Sequence, residues 1–171
     1  MDEPSKPTLL ERLSSLLMRQ PEEREQLIAM LHSAYDRNLV DADALSMIEG
    51  VVQVSDMQVR DVMIPRSQMD VVDISESPEK FIPFVIRTAH SRFPVVDQGK
   101  DNVIGILLAK DLLRYYAGEE FNVREMLRPA VFIPESKRLN VLLKEFRANR
   151  NHIAIVVDEY GGSSGVVTLE D

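Results

Sequence analysis

Three histidines (His32, His90 and His152) and no cysteine make a thin inventory for covalent or acid–base chemistry. The chain has no Gly-x-Ser-x-Gly elbow, no Walker loop and no His-Glu-x-x-His pair, so it lacks the spacings that activate a serine, cradle phosphates or hold a catalytic zinc. Without cysteine, thiol nucleophiles, disulfides and zinc–thiolate sites are excluded as well. The carboxylate runs at Glu22, Glu23 and Glu25 and at Glu119 and Glu120 read as solvated faces and not as a metal site. These residues predict a protein that binds and does not catalyse. Thr168 and Asp171 lie three residues apart: an ionised Asp accepts hydrogen bonds only, and a Thr hydroxyl beside a helix N-terminus can donate to an anion. The same spacing is also an ordinary capping box, and at this point both readings stand. Arg92 offers a planar fork of donors that matches an oxyanion, although for an arginine taken alone a solvated surface role is the more common one.

Charge sets limits on the ligand. The 171 residues carry a net charge of −8, which argues against nonspecific nucleic-acid binding, because counterion release needs a basic face. Five of those negative charges fall within residues 1–50. A small anion could therefore be held by local basic groups in the later part of the chain. No stretch approaches the ~18 apolar residues of a membrane span, and Met1 leads into DEPSKPT with no basic start or apolar run. A cytoplasmic protein is expected.

The elements that would position these residues follow from periodicity. LLERLSSLLM has helical spacing, Pro21 opens a first turn rich in carboxylates, and Asp41 is placed to cap DADALSMIEGVVQV with Ala44, Ile48, Val51 and Val52 on one face. Residues 1–54 thus read as a helical leader.

Beyond it the pattern changes to short strands and helices, and it occurs twice. VRDVMIP at 59–65 returns as VREMLRP at 123–129, FPVVD ending at Asp97 returns as AIVVD ending at Asp158, and GILLAKD at 105–111 returns as GVVTLED at 165–171. Three blocks in one order indicate an internal duplication, with copies at 55–117 and 118–171. Each copy opens on a capping box, Ser55 with Gln58 or Asn122 with Glu125, and a short helix that Pro65 or Pro129 stops. An extended stretch follows, MDVVDI or AVFIP. Next comes a helix, from Ser77 and Pro78 burying Phe81, Ile82, Val85, Ile86 and Ala89, or from Ser136 burying Leu139, Leu142, Leu143 and Phe146. Two strands joined by a turn complete the unit. A last helix begins near Ala109; its counterpart would begin at Asp171, which predicts a further segment beyond that residue. A three-stranded sheet with two helices has too small a core to stand alone, so an α/β fold of two packed copies is expected.

This arrangement resembles the cystathionine-β-synthase (CBS) domain pair, or Bateman module. Within that class, VRDVMIPRSQM, AHSRFPV, GILLAKDLL, PESKR, LKEFR, AIVVDEYGG and GVVTLED look like the CorC family of magnesium and cobalt efflux proteins. The resemblance covers about residues 40–171. It implies a transporter-associated domain after Asp171 and an adenine nucleotide, AMP or ATP, as ligand, with Mg²⁺ carried on the phosphates. It also implies a homodimer built through the pairs, and a membrane transport protein as partner, which would bring a cytoplasmic chain to the membrane.

The family's nucleotide signature, Gly-x-x-Thr/Ser-x-x-Asp, is matched by Gly165, Thr168 and Asp171. By the same resemblance, Ile64 and Pro65 lie beside the base or ribose, Met69 and Val71 offer apolar contacts, and Ser91, Arg92, Phe93 and Pro94 form the facing wall. Arg66 is a second phosphate candidate. The first copy keeps Gly105 and Asp111 but has Leu108 where the hydroxyl belongs. A weaker second site is therefore expected at Asp111, facing Ile153 and Ala154. The alternative function is a structural dimerisation module with a vestigial nucleotide site.

Overall fold

The structure, a computed structural model, describes residues 24–118 and 121–171. The helix expected at 9–18, the first turn at Pro21 with Glu22 and Glu23, and the pair Glu119 and Glu120 lie outside the described residues. The chain divides into two units, one ending at Gln53 and the other running from Val54 to Asp171. No helix among the described residues is long and apolar enough to cross a membrane.

In the first unit, helix α1 spans Arg24–Asp36 and helix α2 spans Ala42–Val54. Asp41 caps α2 as its position suggests: the Ala44 amide donates to Asp41 Oδ1 at 2.8 Å, a bond worth about 1 kcal/mol. His32 Nε2 meets Glu49 Oε1 at 2.8 Å and ties the two helices together. The expected buried face of α2 is corrected. Leu45 is its buried residue, whereas Val51 is 72% exposed, because Val52, two turns after Leu45, shares its face and Val51 lies well off it.

The second unit contains two sheets. The first copy supplies β2 (Val72–Asp73), β3 (Arg92–Val96) and β4 (Val103–Leu108), with β2 and β3 parallel and β3 and β4 antiparallel. The second copy repeats this with β5 (Phe132–Pro134), β6 (Ile153–Val157) and β7 (Ser163–Thr168). Each parallel pair needs a crossover, provided by α3 (Pro78–Thr88) and α6 (Leu139–Asn149). The copies then exchange their opening segments. The short strand β1 (Ile64–Pro65) belongs to the first copy by sequence but pairs with β7, and Arg128 of the second copy bridges Ile106 on β4.

Alternation along the strands divides the apolar residues between three cores. Phe93 and Val95 face α3 with Phe81, Ile82 and Val85, and Ala154, Val156 and Val167 face α6 with Leu142 and Phe146. The opposite strand faces meet in a middle core of Val96, Ile106, Ile153, Ile155 and Val166. The exchange reaches these cores too: Met126 of the second copy packs in the first, and Val59 of the first copy in the second.

Several local expectations are refined. The first opening turn is a 3₁₀ turn, Val59–Asp61, closed by the Gln58 amide donating to Asp61 Oδ2 at 2.8 Å, so the cap is Gln58 and not Ser55. Asn122 caps α5 (Val123–Met126) through the Arg124 amide. Helix α6 begins at Leu139 and not at Ser136, with Leu139 only partly buried and Leu143 44% exposed. On α3, Ile86 is 64% exposed and Ala89 is exposed, with φ of +58° at the helix end. The last helix of the first copy is a 3₁₀ turn, Ala109–Leu112, running into α4 (Leu113–Tyr116). From α4, the Tyr115 hydroxyl donates to Glu79 Oε1 at 2.6 Å on the first turn of α3.

Candidate functional site

A cleft of about 440 Å³ lies between β1, β7 and β6 of one sheet and the start of β3 in the other. Its size falls within the roughly 300–1,000 Å³ of small-ligand sites. Six residues singled out in the sequence line it together: Ile64, Ser91, Arg92, Pro94, Thr168 and Asp171. The crossing of β1 into the second sheet makes this possible, since it sets Ile64 opposite Val166, two residues before Thr168.

The remaining expected residues fall elsewhere, for reasons the strands supply. Phe93 and Ala154 are both 0% exposed, because the two-residue period that turns Arg92 and Pro94 toward the cleft turns Phe93 toward α3, and Ala154 likewise toward α6. Met69 is 3% exposed, with the Ser163 hydroxyl 3.9 Å from its sulfur, and Val71 packs on the middle core. Pro65 pairs with Gly165 at the exposed end of β1 and does not line the cleft. Arg66 is paired with Asp101. Ile153 lines the cleft of Thr168 instead of a second one, because the β6–β7 register sets Ile153 directly opposite Thr168.

Sequence reasoning missed Gln68, Asp70, His90, His152 and Glu170, all of which line the cleft. The first two sit in or just after a 3₁₀ turn, Arg66–Gln68, that the second copy omits by passing directly from Pro129 to Phe132. The greater length of the first linker was the available signal. Lys100 holds that turn in place, donating to the carbonyls of Met69 at 2.8 Å and Arg66 at 3.2 Å. Across the cleft wall, His90 Nε2 meets Asp70 Oδ2 at 2.9 Å.

The chemistry of the cleft is that of a binding site. Ile64, Pro94, Ile153 and Val166 offer apolar surface to a flat ring. Arg92 is the only Lys or Arg lining the cleft, and its guanidinium makes no ion pair among the described residues. Asp171 Oδ2 accepts from the Thr168 amide at 2.5 Å, which leaves Oδ1 as an acceptor. That bond is one half of a capping box, the side chain accepting from the backbone amide three residues earlier. With Asp70, Glu170 and Asp171 against Arg92, carboxylates outnumber cations around the cleft. Among the described residues no cluster of His, Asp and Glu could hold a metal ion.

In the first copy, Asp111 takes the place of Asp171 but is closed in. Its side chain is 15% exposed, with Oδ2 3.4 Å from Arg128 Nη2. Arg128 also donates through Nη1 to the Met126 carbonyl at 2.8 Å. A second groove of about 660 Å³, which shares Ala89, His90, Ser91 and Arg92 with the cleft, runs along α3 and α4, where Ile86, Leu113 and Tyr116 are 64%, 70% and 66% exposed. Leu112, Leu142 and Phe146 are buried, at 5%, 4% and 3% exposure.

Comparison with known proteins gives the same frame. The CBS domain family matches residues 59–118 and 121–171, and a family described as the N-terminal region of NMB0537 matches residues 19–54. The chain is 48% identical over 170 residues to the magnesium and cobalt efflux protein CorC of Vibrio cholerae, covering 98% of this chain and 58% of that protein. It thus spans little more than half the length of this relative. A crystal structure of a functionally unknown conserved domain from Neisseria meningitidis MC58 superposes with a TM-score of 0.81 at 53% identity, over 86% of this chain and 96% of the other. The CBS domain of a bacterial CNNM/CorC family Mg²⁺ transporter in complex with ATP superposes with a TM-score of 0.67 at 37% identity, over 72% and 89%.

Proposed function

The chain belongs to the CBS domain family, as a CBS pair of the CorC type, and from that premise we propose that it is a regulatory module that binds an adenine nucleotide in the cleft of Thr168, Asp171 and Arg92. The observation that carries this reading is the convergence of an uncommitted guanidinium, a free carboxylate oxygen and apolar walls on one cleft of suitable size. Asp171 Oδ1 accepts from the ribose, Ile64, Pro94 and Ile153 flank the base, and Arg92 meets the phosphates. Because carboxylates outnumber cations there, a polyphosphate is best accommodated with Mg²⁺ neutralising part of its charge. That ion keeps most of its waters and needs few protein ligands. The ATP complex of the similar CBS domain supports the ligand class.

Binding between the two sheets favours one relative arrangement of the copies over another, and that difference in affinity is the whole of the regulatory effect. The output is magnesium and cobalt efflux, exerted at the cytoplasmic side by a dimer of such pairs acting on a membrane transport component. Calorimetry with AMP, ADP and ATP, with and without Mg²⁺, tests the reading. Saturable binding without turnover supports it, steady product release replaces it with an enzyme, and no binding replaces it with a dimerisation scaffold.

A further inference from the structure

The duplication gives the chain two equivalent places for a nucleotide, and the structure treats them differently. Register equates Ile64 with Arg128, since Ile64 pairs with Val166 as Arg128 pairs with Ile106, and it equates Thr168 with Leu108 and Asp171 with Asp111. Where the first cleft has a small apolar wall, the second therefore has an arginine. That arginine is held at both ends, by the Met126 carbonyl at 2.8 Å and by Asp111 at 3.4 Å. Asp111 Oδ2 is buried and accepts no hydrogen bond, so the long ion pair is its only compensation. Arg128 Nη2, 3.4 Å from Asp111 Oδ2, stands over the edge of the carboxylate that a ribose would need.

We infer that Arg128 is the residue that restricts the chain to one nucleoside, by closing over Asp111 a second adenosine-type site that the duplication created. The inference rests on the nucleotide reading of the first cleft. Leu108 supplies no hydroxyl, but that loss removes a phosphate donor and leaves the ribose acceptor intact. The latent site therefore suits adenosine or AMP, and gains little from further phosphates.

The test is calorimetric titration of the whole chain with adenosine and AMP, comparing wild type, Arg128→Ile and Arg128→Met. Isoleucine is what the equivalent position of the first copy carries, and methionine keeps the aliphatic stem should isoleucine loosen the fold. The expected result is one nucleoside per wild-type chain and two per variant chain, with the second AMP about tenfold weaker than the first because its phosphate lacks the Thr hydroxyl, and with adenosine spared that loss. One nucleoside bound by wild type and by both folded variants overturns the lock and leaves the nucleotide reading standing. No binding by wild type overturns the nucleotide reading, and a variant that then binds one nucleoside still supports the lock. If no protein binds, both fall. A variant that binds a second ATP as tightly as the first contradicts the assignment of Arg92 and Leu108 to different clefts.

Discussion

The carbonyl oxygen of Ile64 occupies the space a side chain on Gly165 would need: a Cβ built there would stand 2.5 Å from it. Neither a turn nor a left-handed backbone calls for glycine at this point in β7. The requirement is the close approach of β1, which crosses from the other copy. Gly165 thus admits the strand that brings Ile64 to the cleft.

Replacing Gly165 with Ala should push β1 away from β7 and cost about 1–3 kcal/mol, the usual cost of overpacking. Nucleotide affinity should fall with it. Gly105 makes the equivalent approach, with a built Cβ 2.9 Å from Leu127 Cβ and 3.0 Å from the Arg128 carbonyl, yet Gly105→Ala should destabilise without weakening the ligand. Urea unfolding alongside titration separates the two effects, and equal affinity losses in both variants would contradict the assignment.

Asp171→Ala should remove the acceptor proposed for the ribose. Adenosine and ATP should both weaken by ~1.5–3 kcal/mol, the range for hydrogen bonds to a charged group. Fold stability should change little, because Asp171 is exposed and its partner is the amide of Thr168 nearby. Unchanged affinity for adenosine would remove Asp171 from the site.

Arg92→Ala should spare adenosine and weaken ATP by about ten- to a hundredfold, since only the phosphates lose a charge-assisted partner. Equal losses for both ligands would mean that Arg92 shapes the cleft and does not contact phosphate.

The Tyr115–Glu79 hydrogen bond should report on pH. Its donated proton holds the Glu79 carboxyl below its ordinary 4.5 and the Tyr115 hydroxyl above its ordinary 10.0. A lowered acid contributes stability above 4.5 that is lost as pH falls through the lowered value, and the raised phenol contributes below 10.0 and loses it as pH rises through the raised value. Tyr115→Phe should therefore differ from wild type in unfolding midpoint between those limits and converge with it beyond both. A difference that persists in strong acid would show that packing of the ring, not this bond, is at work.

Two copies of the chain should associate through the groove of Ile86, Leu113 and Tyr116, a contiguous apolar patch of the kind that marks an interface. Light scattering should return twice the 19.4 kDa chain mass, and Leu113→Glu should return the single mass. A wild-type monomer at working concentration would assign the groove to another partner.

The duplication was legible because three blocks recur in order, and each copy's strands and crossover helix followed from their periods. The cleft was legible only in part. A tetrapeptide such as Ser91–Pro94 looks like one wall in sequence, but strand alternation sends Phe93 into a core. The pairing of Ile153 with Thr168 depends on hairpin register, which no local pattern encodes. The exchange of opening segments was hidden for a different reason: Ile64–Pro65 is two residues long, too short to show a period, and its partner strand lies a hundred residues away. Gln68 and Asp70 enter the site through a length difference between the copies, which no motif marks.

The exchange also changes what the covalent link between the copies means. That link joins the end of α4 to the cap of α5. Met126 and Val59 each anchor in the other copy's core, so the link does not hold the halves in contact. It only keeps them at high effective concentration while they find each other. A protease that cut there would leave a nicked but assembled protein, whose two fragments part only when both cores are opened.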